Sequence, residues 1–221
     1  MNYLFLHPNF PGQYKHIVAK LAREKKNQVV FICQRSNSPI PGVRKIKVRF
    51  VPVHGIGVHR YIEQFELSLY KAQLIWDVCH KLKAEGFIPD VMCAHPGWGD
   101  SLFLKDVFTS TPLLNYCEFF YKPFGADVDF DPHGKVALDT PARIRIKNVN
   151  NLINLDACDK GVTPTKWQHS VHPKEYQSKI TVLHDGIDTD LLSPRKGCHF
   201  KLPDGTIVQQ GDEIITYIAR N

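Results

Sequence analysis

The sequence predicts an α/β fold, a doubly wound and mostly parallel sheet, followed by the truncated start of a second domain. Three observations predict it. Several short runs are continuously apolar, as strands buried on both faces of a parallel sheet are. Helical patterns lie between those runs, so the chain reads as repeated strand–helix units. Beyond residues 179–194 the pattern changes to Pro, Gly and a hairpin signature. The expected organisation is therefore one domain over residues 1–190, with a hinge, a hairpin and a first strand of another domain over 191–221.

Tyr3, Leu4, Phe5 and Leu6 form the first apolar run. The loop of residues 7–12 follows. Residues 13–26 then read as a helix, with Tyr14, Ile17, Val18, Leu21 and Ala22 inward and five basic residues outward. Residues 28–33 are a second buried strand, closing a βαβ unit. Residues 36–42 are a Ser/Pro loop. Residues 43–53 alternate apolar and basic residues and read as a half-exposed strand near a sheet edge. Residues 54–57 form a turn. Residues 60–85 give the longest helical pattern, ended by Gly86. Residues 90–95 and 112–117 are strands, with a short helical segment over 101–107. Residues 122–134, with Asp139 just beyond, form a long irregular loop of the kind that is often functional. Thr140-Pro141 opens a helix through Leu155. Residues 160–163 are a brief strand, 165–169 a helical turn or two, and 180–183 another strand. His184-Asp185-Gly186 breaks that strand, and Asp188 to Asp190 offer caps for a short turn stopped by Pro194. Residues 200–202 and 206–208 flank Pro203-Asp204-Gly205 as a hairpin. Residues 214–219 read as a fresh strand, and a domain that ended on it would be incomplete.

The 221 residues suffice for one large α/β domain or for one domain and part of another. No apolar run reaches the ~18–20 residues of a membrane span, and the N-terminus reads as a buried strand without the marks of a signal peptide. The six cysteines are scattered, without a Cys-x-x-Cys pair. Cys33, Cys93 and Cys117 sit in strand-like runs as small hydrophobes, which points to a reducing, cytoplasmic compartment. The net charge of +6 is that of a mildly basic surface, and also accommodates an anionic partner: a phosphorylated ligand, a membrane surface or nucleic acid. Neither aromatic–basic interleaving nor metal-finger spacing is present, which argues against nucleic acid and a metal.

In a doubly wound sheet ligands bind beyond the carboxyl ends of the strands. Three loops end there. His7 to Gly12 leads into a helix start that suits an anion or a sugar hydroxyl, with His7, Gly12 and Gln13 as contacts. With one glycine it is not a dinucleotide fingerprint. In the second, Gly97 and Gly99 let a ligand approach the backbone, and Trp98 offers a flat face to a sugar ring or base beside His95. In the third, Glu118 follows a buried strand among Phe119, Phe120 and Tyr121. Partial burial there would raise its pKa towards that of a general base. Plainer readings stand beside these. His7 and His95 can simply donate to backbone carbonyls, Trp98 can be core, and Glu118 can be structural. His184 and Asp185 can be turn formers, and the basic face of the first helix can be solvated surface.

Together the stretches Leu6-His7-Pro8-Asn9-Phe10-Pro11-Gly12-Gln13, Pro89-Asp90-Val91-Met92-Cys93-Ala94-His95-Pro96-Gly97-Trp98-Gly99 and Val182-Leu183-His184-Asp185-Gly186-Ile187-Asp188-Thr189 resemble the N-terminal half of a family 4 retaining glycosyltransferase of the GT-B type. Thr216-Tyr217-Ile218-Ala219-Arg220-Asn221 resembles the first, Rossmann-like strand of that family's donor-binding domain. Arg220 would then be the contact to the donor diphosphate, with Ala219 where the family commonly has Gly. Two departures stand out. Only Gly12 remains where many members have a Gly pair, and Glu118 stands where many have a His. The resemblance implies transfer of a sugar from a nucleotide-sugar donor to a carbohydrate or lipid-linked acceptor, with retention, without a metal and with no cofactor beyond the donor. Glu118 and His95 would be catalytic, and His7, Gly12, Gln13, Gly97, Trp98 and Tyr121 would bind substrate. The rest of the donor half would lie beyond Asn221, so these residues alone would have little or no activity. Peripheral membrane contact is compatible with a cytoplasmic enzyme of this kind. A nucleotide-sugar epimerase of the same layout and a non-catalytic sugar- or phosphate-binding module are the alternatives.

Overall fold

The computed structural model describes residues 1–36, 39–52, 57–126, 128–131, 133–134 and 136–215. They belong to two units, Met1–Asp185 and Gly186–Asn221. The first opens with β1 (Asn2–Leu6), β2 (Asn9–Phe10), α1 (Lys15–Arg23), β3 (Gln28–Cys33), β4 (Arg35–Ser36) and β5 (Val43–Lys47). There follow α2 (Glu63–Ala84), β6 (Val91–Ala94), α3 (Leu104–Val107), β7 (Leu113–Tyr116), α4 (Thr140–Lys147) and α5 (Val149–Ala157). It closes with β8 (Lys160–Thr163), α6 (Lys166–Val171), α7 (Lys174–Gln177) and β9 (Ile180–Val182).

Seven strands form one parallel sheet in the order β5-β3-β1-β6-β7-β8-β9. The period of two along each strand explains why helices cover both faces. Leu4, Leu6, Val30 and Ile32 point to one side, where Ile75, Cys79 and Leu82 of α2 pack on them. Phe5, Val29, Phe31 and Cys33 point to the other, against Tyr14 and Val18. Every one of these side chains is at least nine-tenths buried, and each large one contributes about 1.5–3 kcal/mol. The doubly wound, mostly parallel architecture is thus the one the apolar runs imply. The chain winds outward one way from β1 through β3 to β5, and the other way from β6 to β9. A crevice therefore opens between the carboxyl ends of β1 and β6, where the order reverses.

Some local expectations change. The edge strand stops at Lys47 because its partner stops too: Cys33 faces Lys47, and Val48 N–H still reaches the Cys33 carbonyl at 2.8 Å before the pairing ends. Val53 lies outside the described residues. The helix expected from Thr140 through Leu155 is two helices meeting at Asn148, whose amide is engaged with the backbone of Tyr121. Asn in a helix interior readily takes such outside partners. In α1 the expected inward residue Ile17 is about half exposed. The pair β2–β4 is parallel and two residues long, too short for any periodicity to announce it.

In the second unit β10 (His199–Lys201) and β11 (Ile207–Gln209) form an antiparallel hairpin around Pro203-Asp204-Gly205. Asp188 Oδ1 accepts from Leu191 N–H at 3.1 Å, so the short capped turn is present. Ile214 and Ile215 are not in a strand, and residues 216–221 lie outside the described residues.

Candidate functional site

β1 and β6 are adjacent and in register, so the residues that follow them, His7 and His95, emerge side by side. Their rings lie 5.6 Å apart at 75°. Both are buried, His7 at 5% and His95 at 7% exposure. Nδ1 of His7 lies 2.7 Å from the Asn9 carbonyl and 3.0 Å from the Asn9 N–H, so either tautomer pairs with one of them. His95 is better determined. Its Nδ1 accepts from Gly97 N–H at 3.2 Å. The ring proton therefore sits on Nε2, which donates to Glu118 Oε2 at 2.8 Å. The Glu118 side chain is 41% exposed. The dyad thus has a buried imidazole fixed at both nitrogens and a carboxylate whose side chain is partly exposed.

Glu118 reaches His95 because β7 pairs with β6 and its chain continues past Tyr116. The Glu118 carbonyl accepts from Gln168 Nε2 at 2.9 Å, which anchors the loop. The Tyr116 ring lies 5.8 Å from that of His95, and its hydroxyl donates to Asp185 at 2.8 Å. Burial first, and the Asp185 carboxylate next, raise the Tyr116 pKa, so the phenol stays a donor. Gly12 has φ +55, and a Cβ there would lie 2.5 Å from His7 Nδ1. Gln13 lies in the following 3-10 turn, and its buried Oε1 has no hydrogen-bond partner among the described residues.

Trp98 is 46% exposed, so it is not core; its ring lies 6.0 Å from His95. With Gly97 and Tyr121 it lines a cleft of about 510 Å³ between α2, the loop after β6 and α4. The Asn148 amide holds Tyr121 by its backbone N–H at 3.0 Å and its carbonyl at 2.7 Å. Nine of the residues singled out by sequence (His7, Gly12, Gln13, His95, Gly97, Trp98, Glu118, Tyr121 and Arg220) thus divide plainly. His7, Gly12, His95 and Glu118 gather where β1 and β6 end, Gly97, Trp98 and Tyr121 line the adjoining cleft, Gln13 follows Gly12 with its Oε1 buried, and Arg220 lies outside the described residues.

Asp100 escaped the sequence reading. It is 3% exposed, with Oδ2 accepting from Gln34 Nε2 at 3.2 Å and Oδ1 without a hydrogen-bond partner among the described residues. Burial pushes its pKa up to about 6, against the pull of Lys71 and His95. A signal was present, since an acid directly after Gly97-Trp98-Gly99 falls within a ligand-approach loop. The basic lining of the cleft was also missed, although Arg143 and Lys147 stand four residues apart on α4 and so share a face.

The family model described as the glycosyl transferase family 4 group matches residues 25–192. No curated protein matches the chain by sequence. Among solved structures it is similar to UDP-GlcNAc 2-epimerase from Methanocaldococcus jannaschii, at 12% identity and TM-score 0.46, over 82% of this chain and 45% of that one. It is similar also to the Neisseria meningitidis UDP-GlcNAc 2-epimerase bound to UDP-GlcNAc, at 10% identity and TM-score 0.43, over 82% and 45%. A third is Phytolacca americana UGT2 complexed with UDP-2fluoro-glucose and pterostilbene, at 12% identity and TM-score 0.46, over 74% and 48%. The chain spans under half the length of each of these. Among the described residues no helix is long and apolar enough to cross a membrane.

Proposed function

The chain belongs to the glycosyl transferase family 4 group, matched over residues 25–192, and from that premise we propose that its first unit is the acceptor side of a retaining sugar transferase. The donor is a nucleotide sugar and the acceptor a carbohydrate or a lipid-linked carbohydrate. The donor nucleotide is held chiefly by residues outside 1–185, with Arg220 as a diphosphate contact, and these 221 residues alone turn over little or no donor. The reaction uses no metal and takes place on the cytoplasmic side.

The observation that carries this reading is the hydrogen bond of 2.8 Å from His95 Nε2 to Glu118 Oε2 at the mouth of the crevice. The acceptor hydroxyl donates to the partly exposed carboxylate of Glu118. On the same face of the sugar from which the diphosphate departs, the hydroxyl oxygen bonds to the anomeric carbon as the bond from that carbon to the donor phosphate breaks and its electron pair leaves on the diphosphate, so the configuration is kept. The hydroxyl proton passes to Glu118, which then returns it to solvent. His95 does not take the proton, since Gly97 N–H occupies its Nδ1. It keeps the carboxylate aimed and partly offsets its charge. Trp98 supports a sugar ring, and His7, Gly12, Gln13, Gly97 and Tyr121 shape the wall around it.

The test is Glu118→Gln in a polypeptide that carries both halves. The exchange keeps the shape and one acceptor oxygen but removes the base. Turnover of nucleotide sugar is expected to fall about 10²–10⁴-fold with the circular dichroism unchanged. Unaltered turnover would take Glu118 out of the reaction centre.

A further inference from the structure

The cleft beside the dyad has a one-sided charge. Arg60, Lys71, Arg143 and Lys147 line it, and among the described residues no carboxylate does. Arg60 is neutralised by Asp139 at 2.6 Å. Lys147 sits 3.6 Å above the Tyr121 ring, which orients it without cancelling its charge. Lys71 extends over the Phe50 ring at 5.3 Å. Arg143 makes no ion pair among the described residues and shares the cleft-facing side of α4 with Lys147. Arg143 and Lys147, with Lys71 partly offset by the Asp100 carboxyl, surround about 510 Å³, and a bound anion relieves their mutual repulsion. The wall beside these cations is held by a buried chain of hydrogen bonds. Asn150 is nine-tenths buried in the cleft wall. Its Nδ2 donates to Ser68 Oγ at 2.9 Å, and Ser68 Oγ in turn donates to the Gln64 carbonyl at 2.9 Å. The amide orientation is therefore fixed, and Asn150 Oδ1 is an acceptor without a partner among the described residues.

We propose that this cleft binds a phosphorylated acceptor. A phosphate monoester lies against Arg143, Lys147 and Lys71, and the ring rests on Trp98. A phosphate matches the cation set better than a carboxylate does, since a monoester carries close to two negative charges at neutral pH. The volume lies in the usual range for a small-molecule site. Trp98 joins the two ends: it lines the cleft and its ring is 6.0 Å from His95. An acceptor seated by its phosphate thus presents another hydroxyl to Glu118. The inference rests on the transferase reading for the word acceptor. The anion site itself follows from the lining. The phosphate can arrive on a soluble sugar or on a lipid carrier, because the chemistry recognised is the same.

Calorimetric titration of the 221-residue chain with glucose 1-phosphate and with glucose tests the proposal. A parallel arm measures capture on phosphatidylcholine vesicles doped with phosphatidic acid. Glucose 1-phosphate is expected to bind at least about tenfold tighter than glucose, and less tightly as salt is raised. The double variant Arg143→Glu, Lys147→Glu, at two exposed positions, is expected to weaken it about tenfold or more. Lys71→Met, which keeps an apolar stem over Phe50, should weaken it several-fold. The control pair Lys15→Glu, Lys20→Glu on α1 should leave it unchanged. Capture by acidic vesicles alone, lost in the cleft variants and kept in the α1 control, also supports the proposal and assigns the phosphate to a lipid. Two results overturn it: neither probe binding in a manner sensitive to the cleft variants, or UDP binding as tightly as glucose 1-phosphate with the same sensitivity. Failure of the transferase reading shows elsewhere, as turnover indifferent to Glu118→Gln.

Discussion

Two loops of this molecule begin with the same words and finish with different chemistry. After β1 the chain reads His7-Pro8, and after β6 it reads His95-Pro96. In each, the imidazole is buried and its Nδ1 engages the backbone two residues on, at Asn9 or at Gly97. In each, a glycine lies against the ring. The difference is set from outside the loop. β6 neighbours β7, whose chain runs on to Glu118, and the carboxylate takes the His95 Nε2 proton in a hydrogen bond. β1 neighbours β3, whose chain runs on to Gln34, and that side chain is spent on Asp100. The local sequence fixes how each imidazole is held. The strand order fixes what it is held against.

The strongest way to break that contrast is to replace each ring by one that packs but cannot hydrogen-bond. In a polypeptide with both halves, His95→Phe is expected to lower kcat about 10²–10³-fold, because Glu118 loses the donor that aims it, with KM little changed. His95→Gln, which keeps a donor near the Nε2 position, should recover part of that loss. His7→Phe should act mainly on KM, as befits a wall residue. Equal losses of kcat at the two positions would mean that the Glu118 bond does not distinguish them.

A second contrast concerns the two acids of the site. Glu118 is open to solvent and Asp100 is not. Burial lifts the Asp100 pKa from 3.8 to about 6 in the folded chain. The folded state therefore holds this proton more tightly than the unfolded one. The resulting stability is complete below about pH 4 and disappears as the pH rises through about 6. At pH 7.5 the ionised, buried carboxylate costs about 3 kcal/mol relative to a neutral group. Asp100→Asn keeps the shape and an oxygen for Gln34 Nε2. It should raise the urea midpoint at pH 7.5 and leave it nearly unchanged at pH 4. An Asn variant no more stable than the parent at pH 7.5 would mean that Lys71 and His95 offset the burial in full.

The framework was legible because it is written in side-chain period. Leu4 and Leu6 face one way and Phe5 the other, so two covered faces follow from five residues. Gln28–Cys33 was read to the residue for the same reason. The emergence of His7 and His95 at strand ends could also be read, since a residue directly after a buried strand has little choice of where to emerge. What escaped depends on pairing across the sheet or between helices. No local pattern says that Glu118 Oε2 meets His95 Nε2, that Gln34 reaches Asp100, or that Lys71 on α2 shares a cleft with Arg143 on α4. The break at Asn148 was hidden because its cause is the backbone of Tyr121, 27 residues away. Ile17 deceived because an apolar residue at helical spacing can still fall at the rim of a helix with a narrow buried stripe.

The smallest expected effect returns to the glycines of the two loops. Gly12 combines φ +55 with a position where a Cβ would lie 2.5 Å from His7 Nδ1. The ring cannot swing away, because it is buried among Tyr14 and His95 and tied to Asn9. Gly12→Ala should therefore cost about 2 kcal/mol, from backbone strain and displacement of the ring together. Gly97 lies against its own histidine more gently, with a Cβ 3.2 Å from His95 Cε1 and no left-handed backbone. A shift of a few tenths of an ångström accommodates it, so Gly97→Ala should cost under about 1 kcal/mol. Its effect should instead be on the dyad, since moving the His95 ring lengthens the bond to Glu118 before it unfolds anything. Denaturant midpoints of the two variants, read beside the kcat of Gly97→Ala in a two-half polypeptide, separate the two costs. Matching midpoints would show that the first loop is no more constrained than the second, and that the likeness of the two His-Pro turns extends to their glycines.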